Sequence, residues 1–295
     1  MKITPIGELE RKPRQVAIGS FDGVHLGHQA VIKGSDTVLT FDPHPLSVIH
    51  PESAPKLLTT VEGKAERAAK LGVEELAVIT FDEQFAKLTA EQFVEDILIE
   101  KLQAQRVSVG SNFRFGNRAA GDTEFLRRYN EFETNVVSLV ELDDETVSSS
   151  HIRALIQAGD VDKAAEFLGT PFTLKGLVVH GDKRGRELGF PTANIVPDGH
   201  FACPGHGVYA CFANGHPAAV NVGIRPTFET GRGLLIEAFL IDFSGDLYDK
   251  PLELQFLSKL RGEHAFESVE QLVAAMQQDV ERSRGICAKS ATVLR

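Results

Sequence analysis

Gly19-Ser20-Phe21-Asp22-Gly23-Val24-His25-Leu26-Gly27-His28 follows a short apolar run at 15–20 and opens a helical pattern. A strand that turns through glycines into a helix puts the turn at the carboxyl edge of a parallel sheet, where such sheets bind ligands. Unpaired N–H groups at the helix start favour an anion, and the glycines let backbone approach it closely. His25 and His28, three residues apart, fall on one side of the first turn and can donate to phosphate oxygens whose charge grows in a displacement. The pattern suits nucleotidyl transfer. The plainer readings are a glycine-rich turn with two incidental surface histidines, or a metal site. H-x-x-H without a third ligand nearby argues against the metal.

Outward from this stretch, residues 36–41, 75–80, 105–109 and 134–140 repeat the short apolar run, as strands buried on both faces do. Helical patterns at 59–71 and 89–102 lie between them, the second opening with Thr89 and Gln92 at capping-box spacing. This alternation predicts a parallel sheet covered by helices. Two loops, Thr40-Phe41-Asp42-Pro43-His44-Pro45 and Gly110-Ser111-Asn112-Phe113-Arg114-Phe115-Gly116, leave the second and fourth of these strands and are placed to line an aromatic-ring pocket. Ser148-Ser149-Ser150-His151-Ile152-Arg153 precedes another helical run and reads equally as a second anion pocket or as plain capping. One feature conflicts with the sheet. Only residues 29–35 separate His28 from the second strand, about two helical turns with no return loop, which reads as too short for a parallel crossover.

A helix over 161–168, with Asp160 as N-cap, Gly169 as stop and Pro171 behind it, marks the boundary between domains 1–170 and 171–295. Beyond it the pattern becomes period-two segments at 173–179, 207–212, 218–222, 234–243 and 252–260, which predict a small antiparallel barrel or sandwich. Ser268 and Gln271 then start an amphipathic helix carrying Val269, Leu272, Val273, Met276 and Val280 on one stripe. The segment from Gly181 through Lys183, Gly185, Arg186, Gly189, Phe190 and Pro191 to Asn194 is glycine-rich and basic, although the chain has no G-x-x-x-x-G-K-[ST] loop. Its backbone N–H groups and cations can cradle phosphates, and the Thr192 hydroxyl and Asn194 carbonyl are hard oxygen ligands suited to Mg²⁺. A polar hairpin connection is the alternative. Glu237 interrupts an apolar strand pattern; it either faces solvent by alternation or is a buried base.

Composition narrows the class. At 295 residues the chain exceeds the usual single core, and 42% hydrophobic with 24% charged residues excludes disorder. The net charge of −10 speaks against non-specific binding to nucleic acid, so any phosphate must be gripped locally. Most of that excess lies in 1–170, with 18 basic against 27 acidic residues. No run approaches the roughly 18 apolar residues of a membrane helix, and the start has no signal-peptide core, which leads us to expect a cytoplasmic protein. Three cysteines without a CxxC pair read as reduced, packed thiols. Nothing in the pattern bears on oligomeric state.

These motifs in this order resemble the bacterial bifunctional riboflavin kinase/FAD synthetase family over nearly the whole chain. The resemblance implies a Rossmann-like α/β nucleotidylyltransferase domain that adenylylates FMN, followed by a β-barrel kinase domain with a C-terminal helix that phosphorylates riboflavin. It implies ATP and Mg²⁺ for both steps, with riboflavin, FMN and FAD as substrates and products. By the same likeness Ser20, Phe21, Asp22, Gly23, His25, His28, Ser149, Ser150 and Arg153 bind ATP in the first domain, and Asp42 and Asn112 contact the flavin. In the second, Gly181, Lys183, Gly185, Arg186, Gly189, Phe190, Pro191, Thr192 and Asn194 bind ATP, with Thr192 and Asn194 on the metal and Glu237 as base. The family carries Ser-Ser-Thr-Arg-Ile-Arg where this chain has residues 148–153, so one positive charge there rests on His151. The alternatives are a kinase with a degenerate N-terminal half and a non-enzymatic flavin-sensing protein.

Overall fold

A computed structural model describes residues 1–181, 189–227 and 231–293, which form two compact units, Met1–Ser149 and Ser150–Arg295. In the first unit the apolar runs become a parallel six-stranded sheet of β1 (Lys2–Pro5), β2 (Arg14–Ile18), β3 (Thr37–Asp42), β4 (Glu75–Thr80), β5 (Ala104–Gly110) and β6 (Glu133–Val137), in the order β1-β4-β3-β2-β5-β6. Strand alternation loads both faces. Val16, Ile18 and Leu39 pack on one side with Phe93, Val94 and Leu98, while Ala17 and Val38 pack on the other with Val31, Ile32, Ala65 and Ala68. The helices supplying those residues are α1 (Leu26–Ile32), α2 (Val61–Ala69) and α3, which opens as Ala90–Gln92 under a complete Thr89/Gln92 capping box and runs on with π-type winding over Phe93–Lys101. A hairpin of β7 (Glu141–Leu142) and β8 (Glu145–Thr146) follows β6.

The crossover expected to be too short is long enough. Ile18 lies opposite Leu39 in parallel register, and residues 19–36 make the connection. The turn before His25 already lifts the chain off the sheet, so a two-turn α1 suffices. Gly34, at φ 76°, reverses the chain after Ile32 and returns it to Asp36, whose N–H donates to the Gln15 carbonyl. The order of strands reverses at β2, between β3 and β5, which makes the carboxyl end of β2 the switch point of the sheet.

At the opposite, amino edge, Arg14 is fully buried and donates to Glu75 at 3.1 Å and to the carbonyls of Glu10 and Lys12 at 2.7 and 3.0 Å. Burial pushes the Glu75 carboxyl up, but hydrogen bonds from Thr4 and Arg14 outweigh it and hold the carboxyl below its ordinary range. Its contribution to stability is therefore present above the usual carboxylate range and lost as pH falls through the lowered value. Arg14→Met is expected to cost about 3–5 kcal/mol, because it strands a buried carboxylate. Urea unfolding reads this directly; a loss under about 1 kcal/mol would mean that Glu75 finds other partners.

The second unit begins within α4 (Ser149–Ala158), at Ser150, and α5 (Val161–Leu168) follows before the barrel. Asp160 caps α5, and Gly169 ends it at φ 72° as the sequence predicts. Strands β9 (Phe172–Val179), β10 (Ala193–Val196), β11 (Gly207–Ala213), β12 (His216–Thr227), β13 (Gly231–Leu240) and β14 (Pro251–Arg261) close antiparallel in the order β10-β13-β12-β11-β14-β9. Val220, Val222, Ile236, Ala238, Leu254 and Phe256 fill the interior. The long α6 (Val269–Val293) lies along β11, β12 and β14.

Candidate active sites

The turn after β2 is anchored by its own side chains. Phe21, Gly23 and Val24 all have left-handed backbone, at φ 46°, 89° and 45°. For a phenylalanine and a β-branched valine this costs on the order of 1–3 kcal/mol each. Burial of the Phe21 ring and the Val24 methyls in the cluster with Ala17, Val31 and Ile32 offsets that cost. Asp22 is only 1% exposed; its carboxylate accepts from the Leu58 and Thr59 N–H groups at 2.9 and 3.1 Å. Its carbonyl accepts from the Ser149 hydroxyl at 2.9 Å, and the Ser20 carbonyl accepts from Thr40 Oγ1 at 3.1 Å. Asp22 therefore clamps the turn to the segment entering α2.

The two histidines meet. His25 caps α1, its Nδ1 accepting from the His28 N–H at 3.2 Å, and the rings stack with centroids 3.5 Å apart and planes 18° from parallel. A neutral imidazole that accepts at Nδ1 carries its proton on Nε2 and keeps a donor on its far edge. The Phe21 ring meets His28 edge-on at 5.3 Å. A Cβ at Gly27 would come within 3.2 Å of the His25 ring, so glycine keeps the cap in place.

At the same carboxyl edge of the sheet, residues that end or follow β3, β4 and β5 line a cleft of about 690 Å³ with Phe41, Phe81, Phe85, Phe93, Phe113 and Phe115. Asp42 and Asn112 are exposed residues of the same two loops and do not line it. The sequence pointed to Phe41, Phe113 and Phe115; Phe81 and Phe85, which follow β4, were missed although they leave the same sheet edge. Ser150 and Arg153 continue along α4 and belong to the second unit.

In the barrel, register builds a row of side chains on the outer face. Asn194 lies opposite Glu237, Glu237 opposite Asn221, Asn221 opposite Val208 and Val208 opposite Arg261. Directly opposed residues share a face and stand about 5 Å apart at Cβ. Four of these five, with Thr192, Phe190 and Phe239, line a cleft of about 670 Å³ whose far wall is residues 263–266 and Leu272, Met276, Asp279 and Val280. Glu237 thus points out of the barrel, as alternation requires, and is half-buried because α6 walls the outside. Arg261 holds that wall, donating to both Asp279 oxygens at 3.2 and 3.0 Å from Nε. Phe190 packs edge-on against Phe239 at 5.3 Å.

Two family models match the chain, one described as FAD synthetase over residues 8–151 and one as riboflavin kinase over 168–287. The bifunctional riboflavin kinase/FMN adenylyltransferase of Listeria monocytogenes is 39% identical over 291 residues, covering 93% of this chain and 92% of its own. The chain belongs to the bifunctional riboflavin kinase/FMN adenylyltransferase family. The family member of Bacillus subtilis is 36% identical, covering 93% of this chain and 92% of its own, and that of Escherichia coli K12 is 34% identical over 94% and 95%. A crystal structure titled as a macrolide-efflux protein from Streptococcus pneumoniae superposes with a TM-score of 0.87 at 30% identity, over 96% of this chain and 99% of that one. Among the described residues no helix here is long and apolar enough to cross a membrane.

Both transferase modules of the family are therefore present. Of the residues expected to bind ATP in the second domain, Lys183, Gly185 and Arg186 lie outside the described residues, and Gly189 is an exposed turn residue at φ 85°. The Asn194 amide is buried, and a Cβ on Gly181 would lie 2.6 Å from its Cγ, so the backbone at 181 passes directly over it. Thr192, Asn194 and Glu237 offer a hydroxyl, an amide and a carboxylate. This set of hard oxygens fits Mg²⁺, which keeps waters and substrate phosphates in its shell. No group of three or more His, Cys, Asp or Glu among the described residues forms a cage of its own. The three cysteines are free, and burial pushes Cys203 up to about 12 and Cys211 well above its ordinary value, so they are packing thiols rather than nucleophiles. Sequence reasoning missed Asn221, though an amide within Ala218-Ala219-Val220-Asn221-Val222 is the same signal that flagged Glu237.

Proposed function

We propose that the first unit joins FMN to the adenylyl group of ATP on the His25/His28 turn, and that the second phosphorylates riboflavin in the cleft beneath α6. In the kinase step Glu237 accepts the proton of the riboflavin 5′-hydroxyl as its oxygen bonds to the γ-phosphorus of ATP, and ADP leaves. Mg²⁺ bound with ATP at Thr192 and Asn194 supplies neutralisation of charge on the β and γ phosphates. In the second step an FMN phosphate oxygen bonds to the α-phosphorus, the bond to the β-phosphate breaks, and pyrophosphate leaves. His25 and His28 donate to the charge that develops, and the phenylalanine cleft holds the flavin ring while Asp42 and Asn112 flank it. Ser20, Phe21 and Gly23 shape the turn around the nucleotide, with the Ser149 hydroxyl held at its edge by the Asp22 carbonyl. The observation that carries this reading is the stacked, capped histidine pair at the sheet's switch point, on the edge where the aromatic cleft also opens. Incubating the protein with riboflavin and Mg-ATP and separating the flavins tests it. FAD is expected; FMN alone would indicate a degenerate first half, and unchanged riboflavin a sensor. We place the enzyme in the cytoplasm, with no nucleic-acid or membrane partner.

We set the module boundary at 170/171, where the helix stop lies. Neither family model matches residues 152–167, which the compact units group with the barrel. Residues 171–295 contain the kinase residues and are expected to fold and phosphorylate riboflavin. Adding 150–170 should raise the midpoint of thermal unfolding, since α5 buries Val161, Phe167 and Leu168, each worth about 1.5–3 kcal/mol. Aggregation of the shorter fragment would move the boundary to 150.

A further inference from the structure

Lys64 is a buried residue of α2, 5% exposed, as are Ala65 and Ala68 of the same helix. Among the described residues no hydrogen bond or ion pair engages its ammonium, yet the charges of Asp22 and Asp42 act on it. Asp22 belongs to the histidine turn after β2 and Asp42 ends β3; Asp22 binds the Leu58 and Thr59 N–H groups just before α2, which brings the helix that carries Lys64 to the turn. Neither carboxylate is a dedicated partner. Asp22 is committed to the Leu58 and Thr59 N–H groups, and Asp42 is exposed. Burial pushes the Lys64 pKa down, and the two aspartates pull it back up. A buried ammonium without a close anion is costly, and a helix position facing the core would ordinarily carry an apolar side chain. The position is explained when the missing anion is a substrate.

We infer that Lys64 is an anion-binding residue of the adenylyl transfer, receiving a phosphate group where the nucleotide and the flavin mononucleotide meet. The inference rests on the assignment of adenylyl transfer to the first unit. Two phosphate-bearing reactants must approach each other there, and their mutual repulsion is reduced by a cation that desolvation has left without a competing partner. Lys64 is carried by α2 and the histidines by the turn and α1, so the cation complements the histidine donors rather than duplicating them.

The test is Lys64→Met in the full chain, with riboflavin phosphorylation as internal control. Formation of FAD from supplied FMN should fall by about 100-fold or more, with riboflavin phosphorylation unchanged. Without ligand, the variant should melt at a higher temperature than the parent, because an uncompensated buried charge has been replaced by an apolar chain of similar length. Inorganic pyrophosphate should raise the parent's midpoint and leave the variant's nearly unmoved. Kinetics of Lys64→Gln assign the source of the phosphate: a raised KM for FMN points to the flavin phosphate and a raised KM for ATP to the nucleotide. FAD formation within threefold of the parent overturns the inference. A variant that melts lower, and keeps the parent's pyrophosphate shift, overturns it equally, since Lys64 would then be structural. A parent protein that makes no FAD from FMN fails the functional assignment instead, and is a distinct result.

Discussion

His28→Ala is expected to stop FAD formation from FMN while leaving riboflavin phosphorylation at its parental rate. His28 does two things in the turn: its N–H completes the cap on His25, and its ring stacks on the His25 imidazole. Alanine keeps the first, because the cap uses backbone, and removes the second together with a donor at the α-phosphate. Loss of one such donor costs on the order of 3 kcal/mol of barrier, or about 100-fold. Release of the His25 ring from its stack adds to that, since an unpacked imidazole must be oriented anew in each encounter. Thr192, Asn194 and Glu237, which we propose serve the kinase step, lie in the other compact unit, so the effect should be confined. Parallel assays of the two half-reactions on one preparation read both at once. Equal loss of both activities would mean that the two sites are not separable.

How far the molecule could be read from its sequence depended on whether the signal was local. Residues 19–28 announced a strand, a turn and a helix because each is set by neighbours in the chain. The Thr89/Gln92 capping box and the Gly169 stop were legible for the same reason. The edge strand β1 was not seen, because only Thr4 of its four residues is buried and no alternation can develop. β10 was read as ligand loop, since four residues behind a proline carry no period. The crossover was misjudged by counting from His28 rather than from the end of β2. The pairing of Asp22 with residues 58 and 59 and the charge environment of Lys64 are matters of tertiary placement, and an amphipathic pattern with one lysine on its inner face looks like a small defect in the stripe. Asn221 differs, since its amide interrupts an apolar strand pattern as locally as Glu237 does and was passed over; only the row it shares with Glu237 needed the register of five strands.

Glu237→Gln is expected to lower riboflavin phosphorylation by about 10²- to 10⁴-fold, the range for loss of a general base, while FAD formation from supplied FMN continues at the parental rate. The substitution preserves shape. Its amide can still donate and accept within the row between Asn194 and Asn221, and the strand pairing on both sides is made by backbone. What it cannot do is take up the hydroxyl proton, since an amide is not a base in this range. Binding should therefore survive: the cleft walls, Phe239, Met276 and the Arg261–Asp279 clamp, are untouched. The KM for riboflavin should change little while kcat collapses, the signature of an interaction used in the transition state and not in the ground state. A structural role predicts the reverse, because a disturbed row would widen the cleft and raise KM first. Asn221→Leu supplies the contrast, since it removes a polar neighbour of Glu237 without removing the base, and should fall between the parent and Glu237→Gln. If Glu237→Gln phosphorylates riboflavin at near the parental rate, the carboxylate is an ordinary outward-facing strand residue that happens to lie beneath a helix, and the proton must leave directly to water or to a phosphate oxygen of ATP.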